Sequence, residues 1–238
     1  MPQETLALDS QHIEKKFGYS YAVRDVSLQL KRGEFVVVFG SNGAGKTTFL
    51  KVAATLMRPT KGTLAIEGFD IRTQAEQARQ RIGFLSHNTF VYRDLSALEN
   101  LKFFCRLYGA AESEERLLAI LDRVDLKRRA HDPVRSFSRG MQQRVGIART
   151  LLHDPTLILL DEPYTGLDAK AANTLNALLD ESVANGKTVV LTSHDLPQGL
   201  RAATRAVILD KGMVVHDGPA GDPAVKAAYA RYIHQERA

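Results

Sequence analysis

Cysteine is almost absent from this chain: Cys105 is alone among 238 residues. That excludes an internal disulfide and a cysteine-cluster metal site. Long hydrophobic runs are missing too, and none approaches the roughly 18 residues that span a bilayer. The opening Met1-Pro2-Gln3-Glu4 lacks the basic-then-apolar order of a signal peptide, so the expected compartment is cytosolic. There are no repeats, low-complexity tracts or long linkers. The net charge of +5 is spread along the chain, apart from a local excess at Arg123, Lys127, Arg128, Arg129 and Arg135. Such a cluster reads as a solvated helical face rather than a nucleic-acid footprint, and no nucleic-acid partner is expected. What is present is 44% hydrophobic content and 25% charge, enough for one large α/β domain with an inserted lobe.

One stretch organises the rest. Gly40, Ser41, Asn42, Gly43, Ala44, Gly45, Lys46, Thr47 and Thr48 fit the phosphate-loop pattern G-x-x-x-x-G-K-[ST] in full. Before it, Glu34-Phe35-Val36-Val37-Val38-Phe39 reads as a buried parallel strand. After it, Phe49, Leu50, Ala53, Leu56 and Met57 recur at helical spacing until Pro59. The glycines free the backbone to turn successive N–H groups inward, and the positive end of the helix completes an anion site. Lys46 is placed to reach the β- and γ-phosphates of a nucleotide, and the Thr47 hydroxyl to ligate Mg²⁺.

Along the chain, residues 3–30 read as edge strands around an aromatic turn at Phe17–Tyr21, and Thr63–Ile66 and Ile82–Leu85 add two more strands. From about 88 to 153 the pattern turns helical. Leu98, Leu101, Phe104, Cys105 and Tyr108 mark one helix, and Leu117, Leu118, Leu121 and Val124 a second. Met141, Val145, Ala148 and Leu152 mark a third. Cys105 sits on an apolar face and reads as a packed core thiol. Strands return at 157–160, 188–191 and 206–209, the first two separated by a helix over Ala171–Asn185. Alternation of this kind implies a parallel sheet. Asp210-Lys211-Gly212 reads as a hairpin turn, and Pro223–Ala238 as one amphipathic surface helix.

Two further elements carry chemistry. Leu157-Ile158-Leu159-Leu160 ends in Asp161 and Glu162. Asp161, at the carboxyl end of that strand, is placed to hold Mg²⁺ through oxygen, and Glu162 to act as general base on water. Ser138, Arg139 and Gly140 open the third helix and offer a hydroxyl and backbone N–H groups, a second anion site.

The order of phosphate loop, Ser138-Arg139-Gly140 cap, Asp161-Glu162-Pro163, Thr165-Gly166-Leu167-Asp168 and Ser193-His194-Asp195 resembles the nucleotide-binding subunit of ABC transporters, over residues 5–217. The resemblance implies an α/β phosphate-loop NTPase core with a parallel sheet, an N-terminal antiparallel β-subdomain and an inserted α-helical subdomain. The core would span 1–87 and 154–238, and the helical part 88–153. It implies an ATPase coupled to transport, with ATP and Mg²⁺ as ligands. Two copies would form an ATP-dependent head-to-tail homodimer, with the loop of one covered by Ser138, Arg139 and Gly140 of the other. A polytopic membrane subunit would dock on 88–110, holding the chain peripherally at the cytoplasmic face of the membrane. On the same ground His194 contacts the γ-phosphate, Asp168 signals across the dimer interface and Phe17 stacks on adenine, with Tyr19 and Tyr21 as rivals.

Two departures from the family pattern matter. Phe137-Ser138-Arg139-Gly140-Met141 stands where Leu-Ser-Gly-Gly-Gln is usual. His87, followed by Asn88, stands where a metal-linked glutamine is usual, and because Mg²⁺ prefers oxygen the expected substitute is Asn88 or a water held by His87. The stretches 83–88, 98–101, 138–144 and 161–168 resemble the heme-exporter ATPases of cytochrome c maturation. With no Cys-x-x-Cys-His, the chain itself attaches no heme. An exporter of another substrate, such as a drug or lipid, is one alternative, and a soluble ABC ATPase acting on DNA or ribosomes is another. The latter is disfavoured by the absence of sustained heptads and of a second cassette. Glu162 argues against a non-hydrolysing module.

Overall fold

A computed structural model describes residues 6–86 and 89–233. The N-terminal hairpin pairs β1 (Leu8–Phe17) with β2 (Ser20–Leu30). Only Gly18 and Tyr19 form the turn, tighter than the aromatic turn expected over Phe17–Tyr21. Central strand β3 (Phe35–Phe39) leads through the phosphate loop into α1 (Lys46–Ala53). The helix stops short of Pro59, so Leu56 is exposed rather than on a buried face. Then follow β4 (Lys61–Ile66), β5 (Phe69–Asp70), α2 (Ala75–Arg81) and β6 (Ile82–Leu85). Three helices come next: α3 (Ala97–Tyr108), α4 (Glu114–Arg123) and α5 (Arg139–Thr150). The chain continues through β7 (Leu157–Asp161), α6 (Ala169–Ala184), β8 (Thr188–Ser193) and a short α7 (Leu196–Leu200). It closes with β9 (Arg205–Asp210), β10 (Met213–Pro219) and α8 (Pro223–Ile233).

These strands form two sheets. A four-stranded antiparallel sheet runs β2-β1-β4-β5, and a six-stranded sheet runs β10-β9-β3-β8-β7-β6. In the second, β9, β3, β8, β7 and β6 are parallel and β10 returns antiparallel. Side chains alternate across β3, as a two-residue period requires. Val36 and Val38 pack toward the antiparallel sheet and α1, with Ile13, Val26, Phe49 and Leu50. Phe35, Val37 and Phe39 pack the other way, among residues of α3 to α6 and α8. Burial on both faces is why β3, β7 and β8 read as unbroken apolar runs. Cys105 is buried within the helical packing, as its spacing suggested.

Helix starts are set by short polar caps. Ser96 and Glu99 make a reciprocal capping box on α3, and Ser113, Ser138, Asp168 and Asp195 cap α4 to α7. The α1 helix differs: it opens at Gly45 with no side-chain cap and no acid in its first turn. Its terminal helix is not merely superficial either, since Val225 and Tyr229 of α8 are buried in the main core. The basic cluster is largely paired: Arg123 with Glu181, Lys127 with Asp122, Arg129 with Asp132, and Arg135 with Asp94.

Candidate functional site

The site grows from the carboxyl ends of β3, β7 and β8. Gly43 (φ 82°) and Gly45 (φ 103°) hold left-handed conformations that favour glycine. At Gly45 a Cβ would also lie 2.3 Å from the Ala22 carbonyl of β2, so the hairpin presses directly on the loop. A Cβ at Gly40 would meet the Leu209 carbonyl at 2.6 Å. The loop and α1 surround a cavity of about 280 Å³ lined by Ala22, Ser41 to Thr48 and Glu162. Because α1 lacks a side-chain cap, the protein itself leaves the positive end of that helix open toward an anion.

Lys46 is buried, and its Nζ donates to the carbonyls of Gly40 (2.7 Å) and Ser41 (3.1 Å). Burial holds its ammonium below the ordinary lysine range, while Glu162 and Asp161 pull the other way. The two acids differ sharply. Asp161 is buried, and its Oδ1 accepts from Thr47 Oγ1 and from Thr192 Oγ1, each at 2.9 Å. The two described residues expected at the metal are therefore in direct contact, and a hydroxyl beside a carboxylate suits an oxygen-seeking ion such as Mg²⁺.

Glu162 sits at φ 50°, a left-handed conformation that costs a non-glycine residue about 1–2 kcal/mol. Its N–H donates to Thr192 Oγ1 at 2.9 Å. Its Oε2 accepts from His194 Nδ1 at 2.7 Å, and its Oε1 lies 3.9 Å from Lys46 Nζ. The twist turns consecutive side chains of one strand end to different tasks. Asp161 faces the Thr47 hydroxyl, and Glu162 faces the loop cavity beside a histidine that can donate a proton or a hydrogen bond.

Not every residue singled out by sequence gathers here. Ser138, Arg139 and Gly140 do not line the loop cavity. Ser138 Oγ accepts from Met141 N–H at 3.3 Å, and Arg139 packs over Gly166, where a Cβ would lie 3.2 Å from its side chain. Asp168 caps α6 through Ala171 N–H at 2.7 Å. Phe17 is half exposed at the hairpin tip, with Lys15 Nζ 5.3 Å from its ring centre, and is not among the cavity-lining residues. Ala22, five positions on, is the hairpin residue that reaches the loop. His87 and Asn88 lie outside the described residues.

Sequence reasoning missed Thr192, whose single hydroxyl serves both acids. With Thr188 and Ser193 in the same strand, residue type alone gave no signal for it. Gln143, buried on α5 with Nε2 donating to the Pro163 carbonyl at 3.2 Å, was missed likewise. It ties the third helix to the turn after Glu162.

Comparison with known proteins agrees with this geometry. A family model described as ABC transporter matches residues 23–165. The ABC transporter ATP-binding protein NatA of Bacillus subtilis is 37% identical over 217 residues, covering 90% of this chain and 88% of its own length. The Nod factor export ATP-binding protein I of Cupriavidus pinatubonensis is 36% identical over 224 residues, covering 93% of this chain and 69% of its own length. A solved ATP-binding cassette, a dimer in a post-hydrolysis state bound to ADP and Pi, superposes with a TM-score of 0.83 at 31% identity. That superposition covers 90% of this chain and 99% of the other. Neither relative is named for heme export, so the heme-exporter subtype inferred from the motifs gains no support from them.

Proposed function

The chain belongs to the ABC transporter family as an ATP-hydrolysing cassette, and we propose that it drives an exporter through a membrane subunit docked beside α3. The observation that carries the hydrolytic part is Glu162, twisted into the loop cavity next to Asp161 and held by His194 and Thr192. In this reading the loop N–H groups and Lys46 take the nucleotide's phosphates, with Lys46 exchanging its loop carbonyls for phosphate oxygens. Thr47 and Asp161 would hold Mg²⁺, with Asn88 proposed from the sequence as a further oxygen ligand, and the ion would neutralise charge developing on the phosphates. Glu162 takes a proton from the attacking water, and His194 orients Glu162 and meets the terminal phosphate. Glu162→Gln is expected to bind ATP yet lower turnover about 10²- to 10⁴-fold, the usual scale for a lost general base. Unchanged turnover in a phosphate-release assay would place the base elsewhere.

Support for the docking part comes from a second cavity of about 550 Å³, lined by the turn after α1 and by residues of α2, β6, the segment 90–92, α3 and α5. Its lining includes Phe90, Tyr92, Phe104 and Tyr108, and two cations, Arg79 and Arg149, with no carboxylate. Arg149 donates to the Tyr108 hydroxyl (3.2 Å) and the Phe84 carbonyl (2.7 Å), while its buried Nε has no partner among the described residues. Phe103 and Leu107 extend an exposed apolar rim beside it. A short helical segment of the membrane subunit, apolar on one face and bearing a carboxylate, matches that lining. No helix among the described residues is long and apolar enough to cross a membrane; in this reading the partner supplies the membrane pathway.

For the assembly, the proposal is a dimer in which Ser138, Arg139 and Gly140 of one copy cover the loop of the other, with Asp168 at the shared face. Their absence from the lining of their own chain's loop cavity suits that role. Cargo is set by the membrane subunit. Export is favoured by the Nod factor relative, whereas heme as cargo rests on the quoted motif stretches alone. Heme-stimulated turnover of the reconstituted complex is the measurement that would restore it.

A further inference from the structure

His194 reaches Glu162 from an exposed position. Its ring is largely open to solvent, and its backbone lies between the end of β8 and the Asp195 cap of α7. Something else holds that backbone. The Tyr229 hydroxyl of α8 donates to the His194 carbonyl at 2.5 Å. The Tyr229 ring, 6% exposed, meets Phe39 edge to face, with centroids 5.3 Å apart and planes at 89°. Phe39 is the last residue of β3, immediately before Gly40, so it belongs to the strand that delivers the phosphate loop. The same Phe39 ring fills the space above Gly199 of α7, where a Cβ would lie 2.6 Å from it. One tyrosine on the terminal helix thus touches both the strand beneath the phosphate loop and the carbonyl of the histidine that holds the base.

We propose that Tyr229 is a positioning residue for ATP hydrolysis: α8 latches the β8–α7 turn against β3 and so fixes the distance from His194 to Glu162. An edge-to-face contact sets where the ring lies, and the hydroxyl transmits that position to a backbone atom. A carbonyl is a stiffer lever than a side chain, because moving it rotates the Cα–Cβ direction of His194 itself. This inference rests on the hydrolytic roles proposed above for Glu162 and His194.

The test is steady-state ATP hydrolysis by the full chain carrying Tyr229→Phe, which removes the hydroxyl and keeps the ring on Phe39. The expected result is a kcat lower by about three- to tenfold, the scale of one neutral hydrogen bond, with KM for ATP unchanged. ATP-binding stoichiometry on the same sample gives the folded fraction, so kcat is expressed per binding site even if some protein unfolds. In a His194→Ala background the same substitution should change the residual rate by less than about twofold, because the route through His194 is already gone. Tyr232→Phe removes a hydroxyl from the same helix but leaves the Tyr229–His194 hydrogen bond in place, and should behave as the parent. Three results would overturn the latch: an unchanged kcat per site, a raised KM with kcat intact, or an equal loss in the His194→Ala background. Should Glu162→Gln and His194→Ala themselves leave turnover intact, the hydrolytic reading falls, and the latch falls with it. If those two reduce turnover and Tyr229→Phe does not, only the latch is wrong.

Discussion

At the scale of single residues, a hydroxyl does work usually credited to the acids around it. Thr192 Oγ1 donates to Asp161 and accepts from the Glu162 N–H, so it supports the strained backbone that aims the base. Thr192→Val keeps the shape of the side chain and orphans that N–H. Chemical denaturation should register a loss of about 1–3 kcal/mol, the cost of an unsatisfied buried donor. Turnover should fall roughly tenfold, since a shift near 1.4 kcal/mol in the barrier is one decade. Stability and turnover both equal to those of the parent would show that Glu162 holds its twist unaided. The phosphate loop and the acidic pair were legible because their residue types and order are tied to backbone chemistry. Thr192 was not, since a threonine in a β-branched strand is ordinary until its neighbours in space are known.

At the scale of elements, the same caps and spacings that sequence reasoning used do set most helices. The failures are physical rather than random. Helix α2 is short, with Ala78 its buried residue, so it carries little apolar period to read. The short α7 depends on Asp195 and on Gly199 fitting against Phe39. Leu56 continues the helical spacing of α1, yet the helix has ended, and the side chain instead lines the second cavity. The joint between α5 and β7 carries a titration that the chain order hides. His153 Nε2 donates to the Ile82 carbonyl of β6 at 2.9 Å, and its Nδ1 is buried without a partner among the described residues. Burial holds this imidazole below its ordinary value of 6.5, with the Arg149 charge adding to the effect. The unfolded chain accepts a proton that the native ring resists, so stability is full above the ordinary value and declines as pH falls through the window beneath it. Melting temperature should therefore drop as pH falls below about 6.5, and His153→Gln should flatten that slope. Identical slopes for parent and variant would assign the acid sensitivity to other groups.

At the scale of the whole molecule, the proposed dimer would have each chain present half of two sites. The loop cavity faces out from the ends of β3, β7 and β8, and the Ser138 helix start packs against Gly166 elsewhere on the surface. Completion by a second copy is the economical solution, and the solved relative is a dimer bound to ADP and Pi. Sedimentation velocity should find this chain monomeric without nucleotide and dimeric with ATP in the Glu162→Gln variant, where slow hydrolysis lets the closed form accumulate. A tight dimer in the absence of ATP would contradict an interface glued by nucleotide.

By itself the sequence determined the class of chemistry: a phosphate loop on a buried strand, two carboxylates at a second strand end, a serine-capped helix and a histidine after a third strand. These are local signals, each set by which backbone conformations and helix ends its residues tolerate. Only the tertiary structure decided how they meet, because contacts such as Thr192 with Glu162, Ala22 with Gly45 and Tyr229 with His194 join segments far apart in the chain. No periodicity or motif encodes a contact that exists only once strands have found their order in the sheet.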